Sequence, residues 1–232
     1  MMKKSPKVPE ARMTLRVLAR LLSYPDAGLH AHLSELGQAL HAERALSTQR
    51  LGELDALIAA LSRGDPLDTE AQYVQLFDRG RSTSLHLFEH VHGDSRDRGP
   101  AMIDLAQTYD KAGLVLAAGE LPDYLPAVLE FVSTQPPAEA RAFLSEMTHI
   151  FNAIFSALDQ RCSAYAGAFG ALIELAGGKP HSVKLAPEEP LDTTWAEPIV
   201  FDGCSAQGQA KPEAPQPIRI VRKDHKPQGA LL

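Results

Sequence analysis

Ser84-Leu85-His86-Leu87-Phe88-Glu89-His90-Val91-His92-Gly93-Asp94-Ser95-Arg96-Asp97-Arg98-Gly99 crowds more ionisable side chains together than any other part of the chain. Three histidines, three carboxylates and two arginines alternate there with Leu85, Leu87, Phe88 and Val91. Read as helix, His86 and His90 lie one turn apart on one face, and Leu87 and Val91 share another. Gly93-Asp94-Ser95 then breaks the helix, because glycine after a periodic run ends helices and Asp-Ser favours turns. Gly99-Pro100 opens the next helix, with proline at a first position where its missing N–H costs nothing. The stretch reads as a helix end, a charged turn and a helix start.

Helical periodicity extends from it in both directions. Upstream, Leu15, Leu18, Ala19 and Leu22 mark a helix over 11–23, stopped by Tyr24-Pro25-Asp26. Leu29, Leu33, Leu36 and Leu40 mark a second over 27–44. Leu51, Leu54, Leu57, Ile58 and Leu61 mark a third over 47–62, ending near Gly64. Asp65-Pro66-Leu67-Asp68 reads as a turn, with Asp68 or Thr69 capping a helix that carries Tyr73, Leu76 and Phe77. Residues 78–84 read as a loop.

Downstream, Met102, Leu105, Ala106 and Tyr109 predict a helix that Gly113 breaks. Glu120-Leu121-Pro122-Asp123-Tyr124-Leu125-Pro126 is a two-proline linker, and a short helix runs from Pro126 through Val132. Two longer helices follow. One carries Leu144, Met147, Phe151, Ile154, Phe155 and Leu158; the other carries Tyr165, Phe169, Leu172, Ile173 and Ala176, and Gly177-Gly178 closes it. No stretch before residue 179 alternates with the period of a strand, so the fold class is all-α, a single helical-bundle domain over 11–178. Eight of the 17 prolines fall in 179–232 and periodicity vanishes there, which predicts a largely disordered Pro-rich C-terminal tail. Within it, Trp195, Ile199, Val200 and Phe201 form an apolar island, expected to pack back on the domain rather than dock a partner.

At 232 residues with 44% hydrophobic side chains, the chain can bury a substantial core. A net charge of −6 argues against a nucleic-acid binder that works by neutralising phosphates. Two cysteines, Cys162 and Cys204, make no disulfide framework, and Cys162 reads as a small packing residue of a helix. Met1-Met2-Lys3-Lys4 is basic, as signal peptides are, but Glu10, Arg12, Arg16 and Arg20 interrupt the apolar run that should follow. No apolar stretch reaches membrane-spanning length. A soluble cytoplasmic protein is expected, without membrane insertion.

The histidine-rich stretch could in principle hold zinc or iron through His86, His90 and His92, with Glu89, Asp94 and Asp97 nearby. However, HxxxHxH matches no recognised closed site, and neither HExxH nor a Cys/His pair accompanies it. A small metal-dependent enzyme using these three histidines is therefore the runner-up class. Nucleophile elbows, P-loops and dinucleotide-binding glycines are missing, so no enzyme signature, catalytic residue or cofactor is expected. Binding is better supported. Between Asp78 and Glu130, nine acidic residues stand against five basic ones, which is −4 of the chain's −6. Acidic groups beside Leu85, Phe88, Tyr109 and Tyr124 suit a peptide that is both basic and apolar. Arg96 and Arg98 are expected to pair with Asp94 and Asp97 and so shape the turn.

Tyr73-Val74-Gln75-Leu76-Phe77-Asp78, the 84–99 stretch, Met102, Asp104-Leu105, Tyr109, Gly113-Leu114 and the 120–126 segment together resemble the NarJ family. These are the molybdenum cofactor assembly chaperones, or delta subunits, of respiratory nitrate reductase. The likeness extends more loosely to Leu21-Leu22-Ser23-Tyr24-Pro25 and to Leu191-Asp192 with Trp195-Ala196-Glu197-Pro198. It implies an all-helical chaperone of the TorD/DmsD-like redox-enzyme maturation group. Such a protein binds the twin-arginine-like N-terminal segment of the nitrate reductase catalytic subunit and holds the apoenzyme for cofactor insertion, without joining the finished enzyme. Whether molybdenum cofactor biosynthesis proteins also join is left open. By this likeness Phe77, Leu85, His86, Phe88, Glu89, His90, His92, Asp94, Arg96 and Arg98, with Tyr109, Asp123 and Tyr124, are the candidates for the peptide groove and its supports.

Overall fold

The computed structural model describes residues 10–93, 95–117 and 119–183. The expectations for the Pro-rich tail beyond residue 183, for the Trp195 island and for Asp94 lie outside the described residues. Ten α-helices occur among those described: α1 (Arg12–Leu21), α2 (Ala27–Glu43), α3 (Thr48–Arg63), α4 (Pro66–Tyr73), α5 (Leu87–Val91), α6 (Arg98–Lys111), α7 (Leu125–Thr134), α8 (Pro137–Glu146), α9 (Thr148–Gln160) and α10 (Ala166–Leu175). A π turn (Val74–Asp78) prolongs α4, and a 3-10 turn (Arg81–Thr83) leads toward α5. Among the described residues there is no strand, only an isolated antiparallel bridge between His86 and Tyr124. None of these helices is long and apolar enough to cross a membrane.

Most of the apolar stripes read from the sequence bury, except that of α6, where only Tyr109 is buried and Met102, Leu105 and Ala106 are half-buried. Leu15, Leu18, Leu21 and Leu22 place α1 between α2 and α7, while Leu54, Leu57 and Leu61 turn α3 toward the same core. From α3 the packing passes to α10, then to α8 and α9, and α8 leads back to α7. Residues Ala166 to Ile173 of α10 are all buried, which is the pattern of a helix apolar on every side. Small side chains let α3 approach it. A Cβ on Gly167 would lie 2.9 Å from Cβ of Glu53 and 3.3 Å from its carbonyl carbon. Arg50, itself buried, crosses Gly170 and is held by Glu53 and, at 3.9 Å, by Glu174. Glu174 also accepts from the Ser47 N–H and hydroxyl at 2.6 and 2.7 Å, which ties the start of α3 to the end of α10.

Four local readings are corrected. α4 starts at Pro66, because the Asp65 carboxylate accepts from the Leu67 N–H at 2.9 Å and proline suits the first turn. α6 starts at Arg98, a residue before Gly99-Pro100. The long helix expected around Leu144 to Leu158 is two, α8 and α9, parted at Met147 (φ −91°, ψ 1°). No glycine or proline marks that break; the turn lets α8 reach α7 while α9 packs along α10. Finally, Cys162 does not pack inside: it is exposed, in a left-handed conformation (φ 52°), in the turn between α9 and α10.

The α3–α10 contact makes two glycines opposite in effect. Gly167→Ala should lower stability by about 1–3 kcal/mol, because the helices must part to admit the methyl group. Gly52→Ala, within α3 but with nothing within 4 Å of the new Cβ, should raise it by about 0.5–1 kcal/mol. Urea denaturation midpoints with unchanged slopes check both signs.

Candidate partner-binding site

The charged stretch and the two-proline linker meet at Asp123, which is 0% exposed. Its Oδ2 accepts from the Phe88 N–H at 3.1 Å, and its backbone carbonyl accepts from the Leu87 N–H at 3.0 Å. The first two amides of α5 are thus capped by a residue far along the chain. His86 stands at the N-cap position, but its side chain makes no cap bond. Instead its Nδ1 lies 3.3 Å from Asp123 Oδ1. Leu125 N–H donates to the Leu85 carbonyl at 2.8 Å and completes the strap. Arg98 Nη2 lies 3.8 Å from Asp123 Oδ2 and 3.5 Å from Glu89 Oε1. Two bases, His86 and Arg98, therefore sit on one buried carboxylate, and Glu89 shares Arg98 with it. Among the described residues Arg98 makes these contacts and not the expected one with Asp97, because α6 begins at Arg98 and carries it back over α5; pairing with Asp94 lies outside the described residues. Asp97 accepts from the Ser95 hydroxyl at 3.3 Å instead.

The three histidines part company. His86 has an extended backbone (φ −88°, ψ 104°) and precedes the helix, so it shares no helical face with His90. Its ring lies against that of Tyr124, with centroids 5.4 Å apart. The hydrogen bond to Asp123 pushes its imidazole above the ordinary histidine value, against the opposing effect of burial. His90 turns inward, its Nε2 donating to the Ser84 carbonyl at 2.8 Å, and burial pushes its pKa down. His92 packs edge-on to Phe88 at 5.4 Å. Among the described residues no three His, Cys, Asp or Glu side chains are placed to hold a metal ion together.

The other candidates fall into two layers. Phe77, Leu85 and Tyr109 are buried with Asp123 and support the site from beneath. Phe77 packs between Tyr73 at 4.8 Å and Tyr165 at 5.1 Å. The Tyr73 hydroxyl donates to the Leu22 carbonyl at 2.8 Å and lies 3.2 Å from that of Tyr124. Tyr109 donates to the Pro122 carbonyl at 2.7 Å. Phe88, Glu89, His92, Arg98 and Tyr124 are half-buried, and Arg96 is exposed. The acidic count read from the sequence thus overstates the rim, since Asp123 is internal and Glu89 faces Arg98.

A groove that the sequence reading missed lies beside this layer. Gly113 ends α6 in a left-handed conformation (φ 77°), and Leu114, Val115 and Leu116 then run along Ala127 and Phe131 of α7. The groove measures about 400 Å³, with Tyr109 among its walls and Glu120 and Glu130 exposed at its edges. Arg16 also lines it, its Nε donating to the Ser133 hydroxyl at 3.3 Å. Val115 is 89% exposed. The signal available in the sequence was Leu114-Val115-Leu116-Ala117, an apolar run just past a helix-ending glycine and belonging to no periodic element.

Comparison with known proteins adds a family. The profile described as "Nitrate reductase delta subunit" matches residues 25–171. The chain is 42% identical over 193 residues to the nitrate reductase molybdenum cofactor assembly chaperone NarJ of Escherichia coli (strain K12), covering 79% of this chain and 82% of that protein. It is 36% identical over 147 residues to the nitrate reductase-like protein NarX of Mycobacterium tuberculosis, covering 63% of this chain and 22% of that one. Among solved structures, a candidate redox enzyme maturation protein from Archaeoglobus fulgidus has the same fold. The TM-score is 0.52 at 19% identity, over 76% of this chain and 97% of that chain.

Asp123→Ala strips the Phe88 N–H, His86 and Arg98 of a buried acceptor and should cost about 3 kcal/mol of stability. The two histidines should differ in sign. A raised pKa on folding stabilises below the unfolded value of 6.5, and that contribution is lost as pH rises through the folded value. His86→Gln should therefore cost most near about pH 6 and least near about pH 8.5. His90, with a lowered pKa, makes wild type lose stability as pH falls through 6.5, and His90→Gln should flatten that loss. Denaturation midpoints across this range check both; curves parallel to wild type would mean that neither ring titrates differently on folding.

Proposed function

The chain belongs to the nitrate reductase delta subunit family, and from that membership we propose that it is a system-specific assembly chaperone, not a catalyst. In this reading it works in the cytoplasm on the catalytic subunit of a nitrate reductase. It binds that subunit's twin-arginine-like N-terminal segment and keeps the apoenzyme competent for molybdenum cofactor insertion. The observation that carries the binding step is the groove of Leu114, Val115, Leu116 and Phe131 with Glu120 and Glu130 at its edges. Apolar anchorage between carboxylates suits a segment that is at once basic and apolar. The half-buried Phe88, His92 and Tyr124 take the remainder of the segment. Phe77, Leu85, Tyr109 and Asp123 hold the surface in shape, since Tyr109 both walls the groove and bonds the residue before Asp123.

Titrating a labelled peptide that copies this N-terminal segment into the full chain tests the reading. Affinity should fall as salt rises, because exposed charges are screened over about 8 Å at physiological ionic strength. Val115→Asp should weaken binding by at least about tenfold, or ~1.4 kcal/mol, with helix content unchanged. Glu120→Gln together with Glu130→Gln should flatten the salt dependence. Equal binding by wild type and all these variants would remove the groove from the proposal.

A further inference from the structure

The groove of Leu114 to Leu116 begins beside the point where the chain enters α1. Thr134, the last residue of α7, lines both that groove and a smaller hollow of about 190 Å³ whose walls include Glu10 and Ala11. α1 packs along α7, and Arg16, five residues after Ala11, already lines the groove. The entry to α1 is held in place by Glu43, the last residue of α2. Its carboxylate accepts from the Met13 N–H at 2.9 Å and from the Thr14 N–H and hydroxyl, both at 2.6 Å. It thereby supplies the cap that Ala11 has no side chain to make. Residues 1–9, which precede the described residues, are therefore tethered next to the groove. Nine extended residues reach about 30 Å, whereas α1 covers only about 8 Å between Ala11 and Arg16.

The chemistry of this segment matches the groove. Met1-Met2-Lys3-Lys4-Ser5-Pro6-Lys7-Val8-Pro9 carries three lysines, no acid, and two methionines beside the first pair of lysines. Among the described residues that line the groove, Glu120 and Glu130 face one base, Arg16, and that base is turned to the Ser133 hydroxyl. Between the acids, Leu114, Phe131 and the exposed Val115 offer an apolar surface, to which unbranched methionine adapts readily.

We propose that residues 1–8 of the chain occupy this groove in cis and compete there with the enzyme segment. The competition, though not the docking, rests on the reading of the groove as the enzyme-segment site. Met1 and Met2 cover the apolar surface, and Lys3, Lys4 and Lys7 meet the carboxylates at its edges. A short tether holds such a segment at an effective concentration of about millimolar, so that even a weak contact is populated. The tethered occupant sets a threshold: only a segment that binds more tightly than it does displaces it.

Two measurements test the proposal. In the first, the labelled peptide that copies the enzyme segment is titrated into the full chain, into a variant lacking residues 2–9, and into Met2→Gln. The deletion should tighten binding at least about threefold. Met2→Gln, which changes no charge, should act in the same direction, so that relief of charge repulsion alone does not explain the gain. Equal affinity for all three chains would overturn the competition. The second measurement needs no enzyme segment. In a Cys162→Ser, Cys204→Ser background, a nitroxide on Ser5→Cys should broaden the amide NMR signals of Val115 and Leu116. Val115→Asp should relieve the broadening at Leu116. The docking is overturned if the Leu116 signal stays sharp, or if Val115→Asp leaves the broadening unchanged. It is overturned equally if broadening arises only between a nitroxide-bearing chain and a separate isotope-labelled one, since the segment then belongs to a second copy. The two readings fail separately. Broadening with no peptide binding by any variant would remove the enzyme-segment site, whereas peptide binding without broadening would remove the tethered occupant.

Discussion

The buried carboxylate of Asp123 is the constraint on which the region between the charged stretch and the two-proline linker depends. A desolvated carboxylate is costly unless its oxygens find donors and its charge finds partners, and here both are met by one short stretch of chain. Phe88 supplies an amide, His86 an imidazole and Arg98 a guanidinium. What Asp123 receives in solvation it returns in order. α5 is only five residues long, well below the length at which a helix holds itself together. Its two leading amides are capped by Asp123, and its position relative to α7 is set by the 85–125 bond. Tyr109 extends the same restraint to α6, whose other residues are at most half-buried.

This arrangement changes what the charges mean. Counted along the chain, the region around the histidines is an acidic face. Placed in space, Glu89 and Asp123 face Arg98 and His86, and the acids left at the surface include Glu120 and Glu130 beside an apolar groove.

Much of the helical framework was readable in advance, and for a definite reason. Leu15, Leu18 and Leu22, then Leu54, Leu57 and Leu61, then Phe169, Leu172 and Ile173 recur with the helical period, and each set is buried. Stops were readable where a residue type carries its own backbone preference, as at Gly113 and Gly177, both left-handed. The break at Met147 was not, because apolar side chains keep their spacing straight through it and only packing on different neighbours separates α8 from α9. Asp65 was readable as a turn residue but not as a cap, since both roles draw on the same side-chain chemistry.

Alone, the sequence determined an all-helical class, the approximate ends of most helices, and the two segments whose residues carry the likeness to the delta subunits. Those properties follow from periodicity and from residue types, which are local. Only the tertiary structure decided that His86 and His90 have different partners and opposite pKa shifts, that Asp123 is buried, and that Leu114 to Leu116 line a groove. Each of these depends on what a distant segment places beside the residue. Asp123 and Phe88 are 35 positions apart, and no local pattern records that one will accept the other's amide.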